Sequence, residues 1–308
     1  MLWLRIVFGL ALAYVGLLGL AWLFQERIAF PAPRAPVPDP KDVGIPGGER
    51  FEVVTKSGVR LVGWFLAPKG NNSMNPGASP RGQPTHPVSR SYPGLLWFYG
   101  NGENIASIWP ILRDFQPPGT ALLAVDYPGY GGSAGRATES AIYEAADAAY
   151  EELTGRADVD PQRVYVYGRS VGSAAATYTA STHPTAGLIL ESPFTSAWEM
   201  SRQHYGIFPR FILRLKLDNV AGVSRIRCPL LVFHGTEDRL VSPEMGRRVA
   251  EAAPGPVELV QIEGAGHNET YDVGGRTYRD KLWEFVTGGS TPGRRPGVNT
   301  PGPSSDSR

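Results

Sequence analysis

"RVYVYGRSVGSAAATYTAS", residues 163–181, decides how this chain folds. Its first five residues have the length and apolar character of a buried strand. The alanine-rich stretch from Val171 onward reads as a helix. Between them, Gly168-Arg169-Ser170-Val171-Gly172 fits a G-x-S-x-G turn. A strand, a sharp turn and a helix lift a serine hydroxyl out of a parallel sheet. Five letters alone match weakly, so the flanks carry the weight. Gly168 and Gly172 lack a Cβ, which lets strand and helix approach closely around a strained turn.

Working outward, strands and helices alternate from Gly94 onward. Strands are expected at 94–99, 120–126, 163–167, 186–190, 229–234 and 257–262. Most are nearly continuous apolar runs, as parallel strands covered on both faces should be. The last carries Glu258 and Gln261 and belongs nearer an edge. Residues 49–56 and 60–67 read as a hairpin about Ser57-Gly58. Helices are expected at 138–154, from Pro243 with Ser242 as N-cap, and at 276–287. Asp218 is placed as the cap of a helix beginning near Asn219. The expected class is α/β, with a mostly parallel central sheet, helices on both faces and a short lid-like insertion.

The 308 residues carry a net charge of +1, which points away from nucleic acid. The single cysteine, Cys228, excludes an internal disulfide and reads as a buried structural thiol. No histidine pair has metal-ligand spacing, and no phosphate loop with a following lysine is present. The expectation is therefore no cofactor, no metal and no evident obligate protein partner.

"IVFGLALAYVGLLGLAWLF", residues 6–24, is uncharged and close to the roughly 20 apolar residues that cross a bilayer. It exceeds a signal peptide's apolar core. Trp22 and Phe24 stand where small cleavage-site residues belong. The segment reads as an uncleaved, single-pass anchor over residues 1–30, apolar on every face and so unlike a core helix. Arg5 and the amino terminus precede the span, while Glu26 and Arg27 nearly cancel after it. The positive-inside rule then sends the catalytic domain to the non-cytoplasmic side. Residues 31–48 read as a stiff, extended Pro-rich spacer. Residues 49–287 form the domain, with 69–93 as a disordered surface insertion, 192–226 as a lid-like segment and 288–308 as a disordered tail.

A serine hydroxyl is a poor nucleophile at neutral pH. It needs a histidine to take its proton and a carboxylate to orient that histidine. Ser170 is the candidate nucleophile. Asp238, in the loop of "LLVFHGTEDRLVSP", follows a core strand, and His267, in "IEGAGHNE", follows the last strand. The order Ser, acid, His is the one this strand–turn–helix context predicts. Separately, Asp238 could be a turn former and His267 a loop histidine; together they make a catalytic set. Glu191 and Glu237 are rivals for the acid role. The oxyanion hole is assigned to the backbone N–H groups of Val171 and Asn101, the latter in "YGNGENIA". Tyr130, in "DYPGYGGSAG", is a candidate substrate wall, with plain packing as its competing role.

At these segments the chain resembles the α/β-hydrolase superfamily. It is most similar to the membrane-anchored α/β-hydrolase-domain proteins, near the serine aminopeptidase-like and monoacylglycerol lipase-like branch. "FYGNGENIA", "DYPGYGGSAG", "YGRSVGSAAA", "LILESPFTS", "HGTEDRLV" and "GAGHNE" carry the likeness over about residues 49–287. The resemblance implies hydrolysis of an acyl ester, thioester or amide through an acyl-enzyme. Its pattern usually has a histidine before the first glycine of the oxyanion loop, where this chain has Tyr99. The expected function is a membrane-tethered serine hydrolase of lipid-like or acylated small-molecule substrates. A serine peptidase acting on amides, or a non-catalytic scaffold, are the alternatives.

Overall fold

The structure, a computed structural model, describes residues 1–69 and 91–288. The insertion expected at 69–93 and the tail expected at 288–308 lie almost wholly outside these residues. The chain opens with the helix α1 (Leu2–Ala29) and then builds β1 (Gly48–Val54), β2 (Arg60–Leu66), β3 (Tyr92–Phe98), α2 (Ile105–Phe115) and β4 (Ala121–Val125). After these come α3 (Glu139–Thr154), β5 (Val159–Arg169), α4 (Gly172–Thr182), β6 (Gly187–Glu191), α5 (Ala197–His204) and α6 (Asn219–Val223). The last elements are β7 (Leu230–Gly235), α7 (Pro243–Ala252), β8 (Val257–Ile262) and α8 (Thr270–Thr287).

The strands form one sheet in the order β1-β2-β4-β3-β5-β6-β7-β8. β1 pairs antiparallel with β2, and β2 with β4. From β4 to β8 every pairing is parallel. The sheet is thus mixed but mostly parallel, and helices flank it. Its centre is buried and mostly apolar: every residue of β4, β6 and β7 is buried, Glu191 and His234 at the carboxyl ends included. β8 lies at the edge, as its mixed composition predicts, and only Ile262 in it is buried.

This topology fixes where a site forms. From β3 the chain moves to β4 on one side, and β5 returns to pair with β3 on the other. The crevice beyond the carboxyl ends of β3 and β5 is therefore the switch point where open α/β sheets bind ligands. The Tyr99–Asn101 loop and the Ser170 turn both emerge there.

Several expectations change in detail. Strand β3 starts at Tyr92, so the end of the expected insertion is strand. Helix α8 starts at Thr270 and kinks at Gly275, whose φ is 49°. Ser242 occupies the N-cap position of α7, but its side chain makes no capping bond. Asp218 does cap α6, accepting from the Ala221 N–H at 2.9 Å. Cys228 is buried, and burial pushes its thiol pKa up.

The largest correction concerns residues 31–48. They are not a free spacer. A short 3₁₀ turn forms at Pro40–Val43, and Pro40 and Ile45 are buried. The Pro33 carbonyl accepts from the Gly131 N–H at 2.8 Å and from Asn104 Nδ2 at 3.2 Å. Trp64 Nε1 donates to the Pro38 carbonyl at 3.0 Å. Proline cannot donate a backbone bond, but its carbonyl still accepts, and its ring buries well. Composition alone therefore understates how such a segment docks.

Trp64→Phe keeps the apolar body but leaves the Pro38 carbonyl without its donor. It is expected to lower the unfolding free energy by about 1–3 kcal/mol. Urea unfolding checks the value, and limited proteolysis should show faster cutting within 31–47. Unchanged resistance to protease counts against the docking.

Candidate active site

Strand β5 ends in the turn that carries Ser170. The serine has φ 51°, in the left-handed region. A non-glycine residue pays roughly 1–3 kcal/mol to stay there. Two glycines make the geometry feasible. A Cβ on Gly168 would run into the Gly172 carbonyl and the Ala176 Cβ. One on Gly172 would strike the Phe98 and Tyr99 carbonyls. The second clash shows how tightly the start of α4 sits against the end of β3, two residues short of Asn101. Ser170 N–H donates to the Glu191 carbonyl at 2.9 Å, and Ser173 Oγ donates to the Ser170 carbonyl at 2.5 Å, so the turn is held from both sides.

The structure brings Ser170, His267 and Asp238 together. Ser170 Oγ lies 3.0 Å from His267 Nε2, and His267 Nδ1 lies 2.7 Å from Asp238 Oδ2. A carboxylate only accepts, so the ring proton sits on Nδ1, and Nε2 presents its lone pair to the serine. Asp238 Oδ1 accepts from the Leu240 and Val241 N–H groups at 2.9 and 2.8 Å. His234 Nε2 stands 3.4 Å from Asp238 Oδ2 and bonds the Val241 carbonyl at 3.0 Å. Burial by itself would raise the Asp238 pKa. Hydrogen bonds to His234 and His267, the His267 charge and the Val241 N–H outweigh it, holding the carboxyl well below its ordinary range.

Among the described residues, neither rival acid bonds His267. Glu191 is fully buried and meets Tyr167, Tyr278, Thr270 and the Arg169 Nε. Its carboxylate is filled without a histidine. Glu237 follows β7, where its N–H donates to the Ala265 carbonyl at 2.9 Å, helping to set the loop that holds His267.

At the oxyanion loop, Gly100 N–H is already spent on Glu103 Oε2 at 2.6 Å. Among the described residues, no hydrogen bond engages the N–H of Asn101 or of Val171. Both remain free to donate. Tyr99, at the position of the usual histidine, turns inward. Its hydroxyl donates to Asp126 Oδ1 at 3.0 Å and accepts from the Tyr127 N–H at 3.1 Å. Burial pushes the Tyr99 pKa far up, so the phenol keeps its proton. Tyr130 has no exposed surface, and its hydroxyl donates to Asn101 Oδ1 at 3.0 Å. It stands behind the oxyanion loop, packed on Tyr127, rather than forming a substrate wall.

Sequence reasoning missed Arg169, the residue just before the serine. Its side chain is only 7% exposed. NH1 donates to Glu103 Oε1 at 2.5 Å, and Nε to Glu191 Oε1 at 3.2 Å. NH2 donates to the His267 carbonyl at 3.1 Å and to Asn268 Oδ1 at 2.7 Å. One guanidinium thus ties the serine turn, the oxyanion loop and the histidine loop together. A signal was present: an arginine between the glycine and serine of the turn, and a lone glutamate in the facing glycine loop.

A cavity of about 600 Å³ opens beside the lid, lined by Trp198, Glu199, Arg210, Arg214, Asp218 and Arg248 among others. Neither Ser170 nor His267 lines it. Among the described residues no cluster of histidine, cysteine and acidic side chains has a metal-holding arrangement.

Residues 95–221 match the family described as "Serine aminopeptidase, S33". An uncharacterised protein of Mycobacterium tuberculosis is 33% identical over 287 residues, covering 92% of this chain and 95% of its own. The human α/β hydrolase domain-containing protein 17B is 34% identical over 169 residues, 54% of this chain and 56% of its own. Among solved structures, a Pyrococcus furiosus esterase superposes with TM-score 0.63 at 19% identity, covering 83% of this chain and 98% of the other. A puromycin-hydrolysing peptidase of Mycobacterium tuberculosis gives TM-score 0.61 at 18% identity, over 78% and 39%. At such identities the structures speak for the fold alone. The chain belongs to the α/β-hydrolase superfamily. Within it, the chain falls in the S33, serine aminopeptidase-like family and carries one N-terminal apolar helix consistent with membrane anchoring.

Arg169→Met should lower the unfolding free energy by about 3–5 kcal/mol, because the buried Glu191 carboxylate and the half-buried Glu103 lose their cation. Urea denaturation reads this directly, and a change within error of zero removes the clamp. Asp238 gives a pH signature. A carboxyl depressed in the folded state adds stability above its ordinary pKa, about 3.9. That stability is lost as pH falls through the lower folded value. Asp238→Asn should therefore flatten the acid limb of a stability–pH profile; an unaltered limb contradicts it.

Proposed function

We propose that this protein is a serine hydrolase that works through an acyl-enzyme on Ser170, with His267 as base and Asp238 as its orienting acid. The observation that carries the reading is the unbroken relay from Ser170 Oγ to His267 Nε2 at 3.0 Å and from His267 Nδ1 to Asp238 at 2.7 Å. Ser170 Oγ attacks the acyl carbonyl as its proton passes to Nε2. The Asn101 and Val171 N–H groups receive the negative charge on the carbonyl oxygen. Collapse returns the proton from Nε2 to the leaving group, whether alcohol, thiol or amine. Water, deprotonated by the same nitrogen, then releases the acid and restores the serine. Asp238 stays ionised throughout and stabilises the imidazolium, in keeping with its depressed pKa.

Two acyl classes compete. The apolar helix and the lid favour a lipid-like ester or thioester. The family description favours the amide of a peptide with a free amine, and it weighs more: an anchor says where an enzyme sits, not which bond it breaks. Glu199 and Asp218 line the cavity beside the lid, but Arg210, Arg214, Lys216 and Arg248 line it too, so it does not favour an ammonium. Glu199 is paired with Arg248 at 2.5 Å, so an incoming amine has to compete with that guanidinium. The helix makes the protein a single-pass membrane hydrolase in this reading, with its domain on the non-cytoplasmic side.

Ser170→Ala should abolish labelling by a fluorophosphonate probe; a label that stays on another serine overturns the assignment. Asp238→Asn should reduce turnover by up to about 10⁴-fold through loss of the histidine tautomer. A panel of aminoacyl amides, acyl esters and acyl thioesters on the full chain separates the substrate classes. Absence of turnover on all of them, with no probe labelling, leaves the scaffold reading.

A further inference from the structure

The lid runs alongside α1. Tyr14 Oη donates to the Ile207 carbonyl at 2.6 Å. Eleven residues later along the helix, Gln25 Nε2 donates to the Ile212 carbonyl at 3.2 Å, and its Oε1 accepts from the Arg214 N–H at 2.7 Å. The Arg214 guanidinium lies over the Trp22 ring, 4.6 Å from its centroid. Tyr14 and Gln25 are roughly 16 Å apart along the helix axis. Over that length the lid changes character. Beside Tyr14 it presents Ile207, with Tyr205 two residues before it; they are 62 and 52% exposed, while Phe211 stands next to Ile212 at the Gln25 end. Beside Trp22 and Gln25 it presents Arg214 and Lys216.

Length decides what this arrangement means for a spanning helix. Residues 2–13 reach only about 18 Å, against about 30 Å of hydrocarbon in a bilayer. They are too short to cross. The turns between Tyr14 and Trp22 must also lie in the membrane, and whatever is bonded to them goes in as well. We propose that the lid tip, residues 205–208, inserts into the bilayer beside α1, with lipid acyl chains as its occupant. The inference goes beyond the hydrolase reading and rests on α1 spanning the membrane. The chemistry fits. The Ile207 carbonyl, which would be costly bare in hydrocarbon, is satisfied by the Tyr14 hydroxyl. The sequence from apolar tip to Arg214, Lys216 and Trp22 follows the order from hydrocarbon to headgroup. Arg210, the cation nearest the tip, is long enough to lead its charge back toward the interface, and its guanidinium already lies 6.0 Å from the Trp198 ring.

The test uses the full chain in phospholipid vesicles, with an environment-sensitive fluorophore on single introduced cysteines. Ile207→Cys reports the lid, Leu12→Cys the helix and Lys56→Cys the water-exposed side of the domain. Nitroxide-bearing acyl chains are the quencher, and thermal unfolding confirms that each variant is folded. Quenching at positions 207 and 12, with none at 56, supports insertion. Quenching at 12 without quenching at 207 overturns the proposal while the anchor stands. No quenching at 12 removes the anchor and the proposal together. None of these readings depends on turnover at Ser170.

Discussion

The site hangs on one buried positive charge. The loops that carry Ser170, Asn101 and His267 come from three different strands, and loops are the softest part of an α/β sheet. The Arg169 guanidinium reaches all three. Its planar, five-donor fork suits this role, because the directions of its bonds are fixed once the plane is fixed. Glu103 passes the constraint on, since its second oxygen takes the Gly100 N–H. Glu191 anchors the other end with four partners of its own. The histidine thus meets the serine at hydrogen-bond distance.

A second constraint is steric. The left-handed φ of Ser170 is tolerated only because Gly168 and Gly172 let α4 press against β5 and β3. Strain and close approach are two sides of one geometry. They put the serine N-terminal to α4 and bring the Val171 N–H beside the end of β3, so the proposed nucleophile and oxyanion donor share one turn. The Tyr99 substitution leaves this intact, because the loop needs its main chain there; the phenol serves Asp126 and Tyr127 instead.

Much of this was legible in the letters. The parallel strands announced themselves as apolar runs, β8 as a mixed one, and the order Ser170, Asp238, His267 placed each group after its own strand. What stayed hidden is what depends on distance in space rather than along the chain. Arg169 was an unspecified letter in a motif, and nothing local says that it faces Glu103 and the His267 carbonyl. Tyr130 could be wall or packing from its place on the edge of the site, and its burial behind Asn101 favours packing. The Pro-rich stretch looked unfolded because composition counts missing donors and ignores the carbonyls of Pro33 and Pro38. The pairing of Tyr14 with Ile207 joins residues from opposite ends of the sequence, and no periodicity encodes it.

The docking of residues 31–47 has a consequence for how the enzyme searches. A flexible chain of that length would let the domain wander by roughly 20 Å, at about 5–6 Å times the square root of the residue number. Docked, it has no such play. On the proposed reading of α1 as a membrane anchor, the domain keeps one height and one tilt above the lipid. Its substrate search becomes two-dimensional, and the mouth of the site samples a thin slice of space parallel to the bilayer. Selection is then made first by depth: a scissile bond carried at the right distance from the headgroups is met often, and the same bond carried elsewhere is met hardly at all.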